Sequence, residues 1–178
     1  MDAHLRAWQP GDTEALVAAL RSSPEVADQL GVGGVVGSAE AQRLLHHQLI
    51  SDGPTAWNFA VVVDGTAVGN VGVSHVEHQH DTGWMHYWVA TPHRGRGLAS
   101  AGLVAVSEFA VTDLGLFRLE LGHRVNNPGS CRVAVAAGYP AEGIERSKLR
   151  YGDLRFDVET HARLATDPPT GRAALPFG

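Results

Sequence analysis

Between Tyr87 and Ser100 the chain reads Y-W-V-A-T-P-H-R-G-R-G-L-A-S, and this stretch restricts the arrangement of everything else. β-Favouring residues run up to Pro92, glycines stand at Gly95 and Gly97, and apolar residues at helical spacing begin at Leu98. The order is strand, glycine-rich turn, helix. Glycine lets a backbone bend tightly and approach a ligand, and a helix start presents N–H groups without intrahelical partners and a partial positive charge. Such a turn suits a diphosphate. An ordinary strand-to-helix turn satisfies the same residues, because short glycine motifs are permissive.

A chain of 178 residues, 44% of them hydrophobic, can bury one full core and would be cramped as two domains. The net charge of −5 argues against general attraction to nucleic acid or to an anionic membrane, so neither is expected as a partner. Cys131 is the single cysteine, which forbids an intrachain disulfide and suits a reducing compartment; the cytoplasm is the expected location. The first ten residues do not resemble a secretory signal, and no apolar run approaches the ~20 residues of a membrane helix.

In chain order, Leu5–Trp8 alternates like a short first strand. Asp12 or Thr13 caps a helix carrying Leu16, Val17 and Leu20, and Pro24 stops it or begins another turn. Gly31–Gly37 suits a mobile loop over a site. Ser38 is placed to cap a second helix that carries His46 and His47 and ends near Gly53. Trp57–Val63, Ala67–Val76 and Trp84–Ala90 form an antiparallel meander, its first turn marked by Asp64-Gly65. A helix over Leu98–Leu114, with Leu98, Ala101, Ala105 and Phe109 on one face, is followed by a strand over Phe117–His123. A short helix runs from about Ser130 to Ala137, and Leu149–Tyr151 with Leu154–Glu159 forms a final hairpin. The order gives a mixed α/β (α+β) domain over residues 1–165, with a loosely ordered tail over 166–178 that lacks any pattern.

Two segments resemble one family, the GNAT superfamily of acyl-CoA-dependent N-acetyltransferases, and especially its ribosomal-protein N-terminal alanine and serine acetyltransferase branch. That family carries arginine or glutamine after its fourth strand, glycine three residues on and glycine or alanine two further, matched by Arg94, Gly97 and Ala99. An N-x-x-S motif and a later glycine–aromatic pair match Asn127, Ser130, Gly138 and Tyr139. Gly152, Asp153 and the strand before Ala162-Arg163-Leu164 extend the likeness, which covers most of Leu5–Leu164. It implies a central, mostly antiparallel sheet splayed between strands four and five and flanked by helices.

The resemblance implies transfer of an acetyl group from acetyl-CoA to a primary amine, by direct attack in a ternary complex without a metal. Arg94, Gly95, Arg96, Gly97, Leu98, Ala99 and Ser100 would hold the cofactor's diphosphate through backbone N–H groups. The backbone of Trp88, Val89 and Ala90, beside a bulge in the fourth strand, would line the pantetheine arm, with an N–H near Val89 for the oxyanion. Asn127 and Ser130 would form the second cofactor wall. Ser130 would protonate the leaving thiolate or serve only as a helix cap, since the tyrosine many GNAT members carry four residues later is Ala134 here. Tyr139 matches an aromatic that is normally packed. For the general base Glu120 leads His75, Glu77 and His86; the plainer role for Glu120 is pairing with Arg118.

His75-Val76-Glu77-His78-Gln79-His80 crowds ligand-type residues too tightly for a closed metal site, so no metal is expected, and Cys131 reads as a half-buried thiol. Trp57, Trp84 and Trp88 suit core or pocket wall rather than base stacking. The alternative, a catalytically weak or inactive GNAT domain that binds acyl-CoA or another partner, is consistent with the missing tyrosine. The amine acceptor, the acyl-chain preference and a homodimer are not encoded in any pattern.

Overall fold

The structure is a computed structural model that describes residues 2–32, 37–50 and 53–178. Seven strands, β1 (Ala3–Ala7), β2 (Trp57–Val63), β3 (Thr66–Glu77), β4 (Thr82–Val89), β5 (Arg118–Arg124), β6 (Ala141–Tyr151) and β7 (Leu154–Leu164), form one sheet in the order β1-β2-β3-β4-β5-β7-β6. Helices α1 (Thr13–Arg21), α2 (Pro24–Gln29), α3 (Ser38–Leu44), α4 (Leu98–Thr112) and α5 (Pro128–Ala136) flank it. The expected mixed α/β architecture is present. Asp64 and Gly65 turn the β2–β3 hairpin with φ of +47° and +83°, the left-handed pair such a tight turn requires.

Strand alternation divides the interior into two layers. Val61, Val71, Val73, Met85, Leu119 and Leu121 face α4, while Ala60, Val62, Trp8 and Trp88 face α1 and α3 through Leu16, Leu20 and Leu44. α4 buries Leu103, Val104, Ala105, Val106 and Ala110 together, so it is enclosed on several sides rather than along the single face its spacing suggested.

Among the described strands β4 and β5 pair in parallel, and their register covers just Thr82–Trp84 against Arg118–Glu120. β5 then stays with β7 as far as Arg124↔Val158, and β4 stays with β3 as far as Gly69↔Val89, so the two strands part. The irregularity near this split lies in β3, where His75 has φ +50° and the register shifts between Ser74 and Glu77; β4 pairs without a shift from Trp84 to Val89. The bulge expected in the fourth strand is therefore on its neighbour.

Several local expectations change. Ser38 begins α3 but does not cap it: its hydroxyl donates to Glu14 at 2.8 Å, and the Gly37 N–H donates to the Glu40 carboxylate at 3.3 Å. α3 passes into a π-helical turn, Leu45–Leu49. Most of the loop expected over Gly31–Gly37, and residues 51–52 after the second helix, lie outside the described residues. β6 is much longer than Leu149–Tyr151. The 166–178 tail, expected to be loose, makes backbone hydrogen bonds from Leu175 to Ala101 (3.1 Å) and between Leu5 and Pro176 (2.8 Å), and Phe177 stacks edge-on against Phe59. Its apolar residues meet α4 and β1, which no internal periodicity would reveal. Among the described residues, no helix is long and apolar enough to cross a membrane.

Candidate active site

The parting of β4 and β5 opens a cleft of about 680 Å³. Its walls come from Tyr87–Val89 on β4, the 93–95 turn, the start of α4, the end of β5, and α5, with Glu25 and Val26 of α2 closing one side. Arg94, Arg124, Arg132 and Arg172 line it against one carboxylate, Glu25, so an overall acidic chain carries a cationic groove. Of the residues anticipated for the cofactor, Trp88, Val89, Arg94, Gly95, Gly97, Leu98, Ala99, Ser100, Asn127 and Ser130 line this cleft. Ala90 is instead buried against the α1–α3 layer, and Arg96 is exposed with its guanidinium donating to Pro92 O at 3.3 Å.

α4 begins on Gly97, whose φ of +76° places it in the left-handed region, as does the +75° of Gly95. This geometry aims the first turn of α4 at the cleft, where its N–H groups have no intrahelical acceptor. Arg94 is held rather than free: its Nε donates to Val89 O at 2.8 Å and its terminal nitrogen pairs with Glu25. The turn, α2 and the end of β4 are thereby locked together. Ala90 N–H donates to Val68 O across the β3 side at 2.8 Å, so backbone alternation directs the Val89 N–H towards the open β5 side. Three buried side-chain nitrogens among the described residues have no hydrogen-bond partner, Trp88 Nε1, His93 Nδ1 and Arg124 Nε, and all three belong to cleft-lining residues. Unpaired buried donors are costly unless a ligand or water meets them.

On the opposite wall, Pro128 starts α5 and the Asn127 side chain caps it, its Oδ1 accepting from Ser130 N at 3.1 Å. Ser130 is therefore not the cap. Its Oγ lies 2.8 Å from Tyr87 Oη, which also reaches Ser130 O at 3.0 Å. Burial pushes the Tyr87 phenol up to about 12 despite its contact with Ser130, so the pair stays protonated at neutral pH. Sequence reasoning missed Tyr87: it was read as a strand residue, and only folding brings it across to α5. Tyr139 is packed as anticipated, fully buried with its hydroxyl 2.5 Å from Ser107 Oγ. Cys131 does not line the cleft and turns towards Glu159.

Glu120 sits in the last β4–β5 pair, opposite Trp84, and accepts from Arg118 Nε at 2.7 Å; it is outside the cleft lining. Glu77 closes its own turn by accepting from His80 N at 3.1 Å, and His75 Nδ1 lies 3.1 Å from Ser74 Oγ. His86 has a more constrained setting on the α1–α3 face. Its Nε2 is 2.8 Å from Asn58 Oδ1, an atom that also accepts from Asn70 Nδ2 at 3.0 Å, while Trp8 Nε1 donates to Asn70 Oδ1 at 2.8 Å. An amide oxygen only accepts, so Nε2 carries the hydrogen and Nδ1 is left with the lone pair. Desolvation pushes the His86 pKa down more than the Trp84 carbonyl raises it.

The model of the Acetyltransferase (GNAT) domain family matches residues 3–140. The chain is 27% identical over 106 residues to the ribosomal-protein-serine acetyltransferase of Escherichia coli K12, covering 60% of this chain and 59% of that one. It is 31% identical over 86 residues to the "Probable N-acetyltransferase YjcK" of Bacillus subtilis 168, 48% of each chain. The matched region thus spans about half the length of the curated relatives. The crystal structure of the microcin C7 self immunity acetyltransferase MccE, in complex with acetyl-CoA and AMP, superposes with a TM-score of 0.81 at 15% identity over 92% of both chains. With a family match over most of its length, and a sheet split between β4 and β5 before the start of α4, the chain belongs to the GNAT acetyltransferase domain family.

Proposed function

We propose that this protein transfers an acetyl group from acetyl-CoA to a primary amine, either a protein N-terminus or a small-molecule amine. The observation that carries the reading is the cationic cleft itself, with the amide-rich start of α4 at one end and the Tyr87–Ser130 hydroxyl pair along its wall. The diphosphate would sit on the N–H groups of the 95–100 turn, with the arginines supplying charge, and the acyl end would pass between Val89 and Ser130. The relatives' names support the acyl donor. On the acceptor only one of them is explicit, the ribosomal-protein-serine acetyltransferase.

In this reading the Val89 N–H donates to the thioester oxygen as negative charge builds on it during attack by the amine. The carbon–sulfur bond then breaks, and the leaving thiolate takes a proton through Ser130, which is reprotonated through Tyr87 from solvent so that both hydroxyls end protonated. The attacking ammonium loses a proton to a base, for which Glu120 and His86 are the candidates. Glu120 is engaged by Arg118; His86 is held by Asn58 with its Nδ1 3.5 Å from Ser74 Oγ, and neither is among the residues that line the cleft. Positioning supplies much of the acceleration, and no enzyme nucleophile is required.

Release of free CoA, followed with a thiol reagent across peptides, polyamines and aminoacyl nucleotides, tests the activity. Turnover with at least one acceptor, lowered by Ser130→Ala with little change in acetyl-CoA affinity, is expected. Because Ala134 stands where many family members carry tyrosine, a second reading is an acyl-CoA-binding module without catalysis. Tight acetyl-CoA binding with no CoA release from any acceptor would favour it.

A further inference from the structure

Outside the residues that line the cleft, four metal-ligand-type side chains meet. His123 comes from β5, Cys131 from α5, and Glu159 and His161 from β7, and one ligand atom from each lies within 4.8 Å of all the others. β7 presents Glu159 and His161 two residues apart on one face, and the β5–β7 register sets His123 opposite Glu159. Both histidine side chains are buried, 4% and 0% exposed.

The hydrogen bonds determine which ring nitrogens carry hydrogen. His161 Nδ1 is 2.9 Å from Tyr139 O, and His123 Nδ1 is 3.0 Å from Arg124 O. A carbonyl oxygen only accepts, so each Nδ1 donates and each neutral ring points an Nε2 lone pair inwards. Those two Nε2 atoms are 3.0 Å apart, and Glu159 Oε2 lies 3.2 Å and 3.3 Å from them. With both rings neutral, three acceptors converge between two buried histidines and the part-exposed Glu159, an arrangement that a shared cation stabilises.

We propose that His123, Cys131, Glu159 and His161 bind one zinc-type divalent ion that ties α5 to β5 and β7. Zinc–nitrogen bonds of about 2.0–2.1 Å at the tetrahedral angle place neighbouring ligand atoms ~3.3 Å apart, close to the three separations above. A thiolate and a carboxylate balance the charge of the ion, and binding releases the Cys131 thiol proton to solvent. The two Nδ1–H···O=C bonds orient the rings as metal-bound histidines are oriented. Cys131 adjoins Ser130, so the ion would stiffen the first turn of α5, where the hydroxyl pair of the cleft is built.

Chelator-treated full-length protein titrated with zinc chloride against a chromophoric competitor should bind one high-affinity equivalent per chain. At a hundredfold excess over Kd the melting temperature should rise by roughly 5–10 °C. With cobalt(II) the loaded protein should show a thiolate-to-metal absorption band that Cys131→Ala abolishes. Cys131→Ala and Glu159→Gln, checked for folding by circular dichroism, should each weaken zinc by more than the roughly 10–100-fold typical of an outer-sphere change. A His78→Ala/His80→Ala variant, made in the exposed histidine-rich turn, should still bind its equivalent. No binding at micromolar zinc would overturn the proposal. So would binding that survives both ligand variants, or binding lost in the turn variant. A melting temperature unchanged by zinc would overturn it as well.

Discussion

Replacing Gly97 by valine separates backbone geometry from bulk at the proposed phosphate end of the cleft. The residue has φ +76°, and a Cβ built there would sit 3.4 Å from Arg172 Nη1, an ordinary contact with the end of a flexible side chain. Space is therefore not the obstacle; the left-handed backbone is, at about 1–2 kcal/mol for an L-residue. For a chain of this length that lowers the melting temperature by roughly 2–8 °C, leaving a folded protein to measure. If the variant relieves strain by rotating the 96–98 peptides, at least one N–H turns away from the phosphate. A hydrogen bond to a charged group contributes about 1.5–3 kcal/mol, so acetyl-CoA should bind roughly 10- to 150-fold more weakly. Calorimetric titration with acetyl-CoA, alongside acetyl-pantetheine as a ligand without the diphosphate, provides the assay. The loss should be confined to acetyl-CoA. Unchanged acetyl-CoA affinity, or an equal loss for both ligands, would refute the reasoning.

Three further outcomes follow from the geometry. The Tyr87→Phe, Ser130→Ala and double variants should form a non-additive cycle in kcat, with coupling of about 0.5–1.5 kcal/mol, because the two hydroxyls lie 2.8 Å apart; additive losses would separate them. His86 has a pKa lowered by burial, so the unfolded chain binds the extra proton first as pH falls. Stability should be fully present above about 6.5 and decline as pH drops from there through the folded-state value, and His86→Gln should flatten that slope in melting curves from pH 8 to 5. Deleting residues 166–178 should lower the melting temperature and weaken acetyl-CoA binding together, since Leu175 and Phe177 pack on the domain while Arg172 lines the cleft. A deletion that leaves both unchanged would show that the tail is not integral to the fold.

What the sequence disclosed depended on how locally each feature is determined. The β2–β3 hairpin is written in Asp64 and Gly65, and the α4 start in Gly95 and Gly97, because left-handed backbone there selects particular residues. β6 was mostly invisible: nine of its eleven residues, Ala141–Lys148 and Arg150, are exposed, so no inward alternation marks it, and it exists through pairing with β7. Tyr87 and Ser130 are 43 residues apart, and their contact arises only when β4 and α5 face each other across the cleft. The cluster of His123, Cys131, Glu159 and His161 has no motif spacing for the same reason, being assembled from three elements. Glu120 takes the plainer role that strand alternation offered it, accepting from Arg118 on the same face. The tail carries no periodicity because it contributes separate contacts to α4, β1 and β2 rather than one repeating face.

The central claim is that the β4–β5 cleft holds the acyl donor with its thioester between Val89 and Ser130. A crystal structure of the protein with acetyl-CoA tests this directly. The diphosphate should accept from backbone N–H groups of residues 95–100, the thioester oxygen should face Val89 N–H, and the sulfur should lie beside Ser130 Oγ. A cofactor bound outside this cleft, or seated in it with its sulfur away from Ser130, would contradict the account.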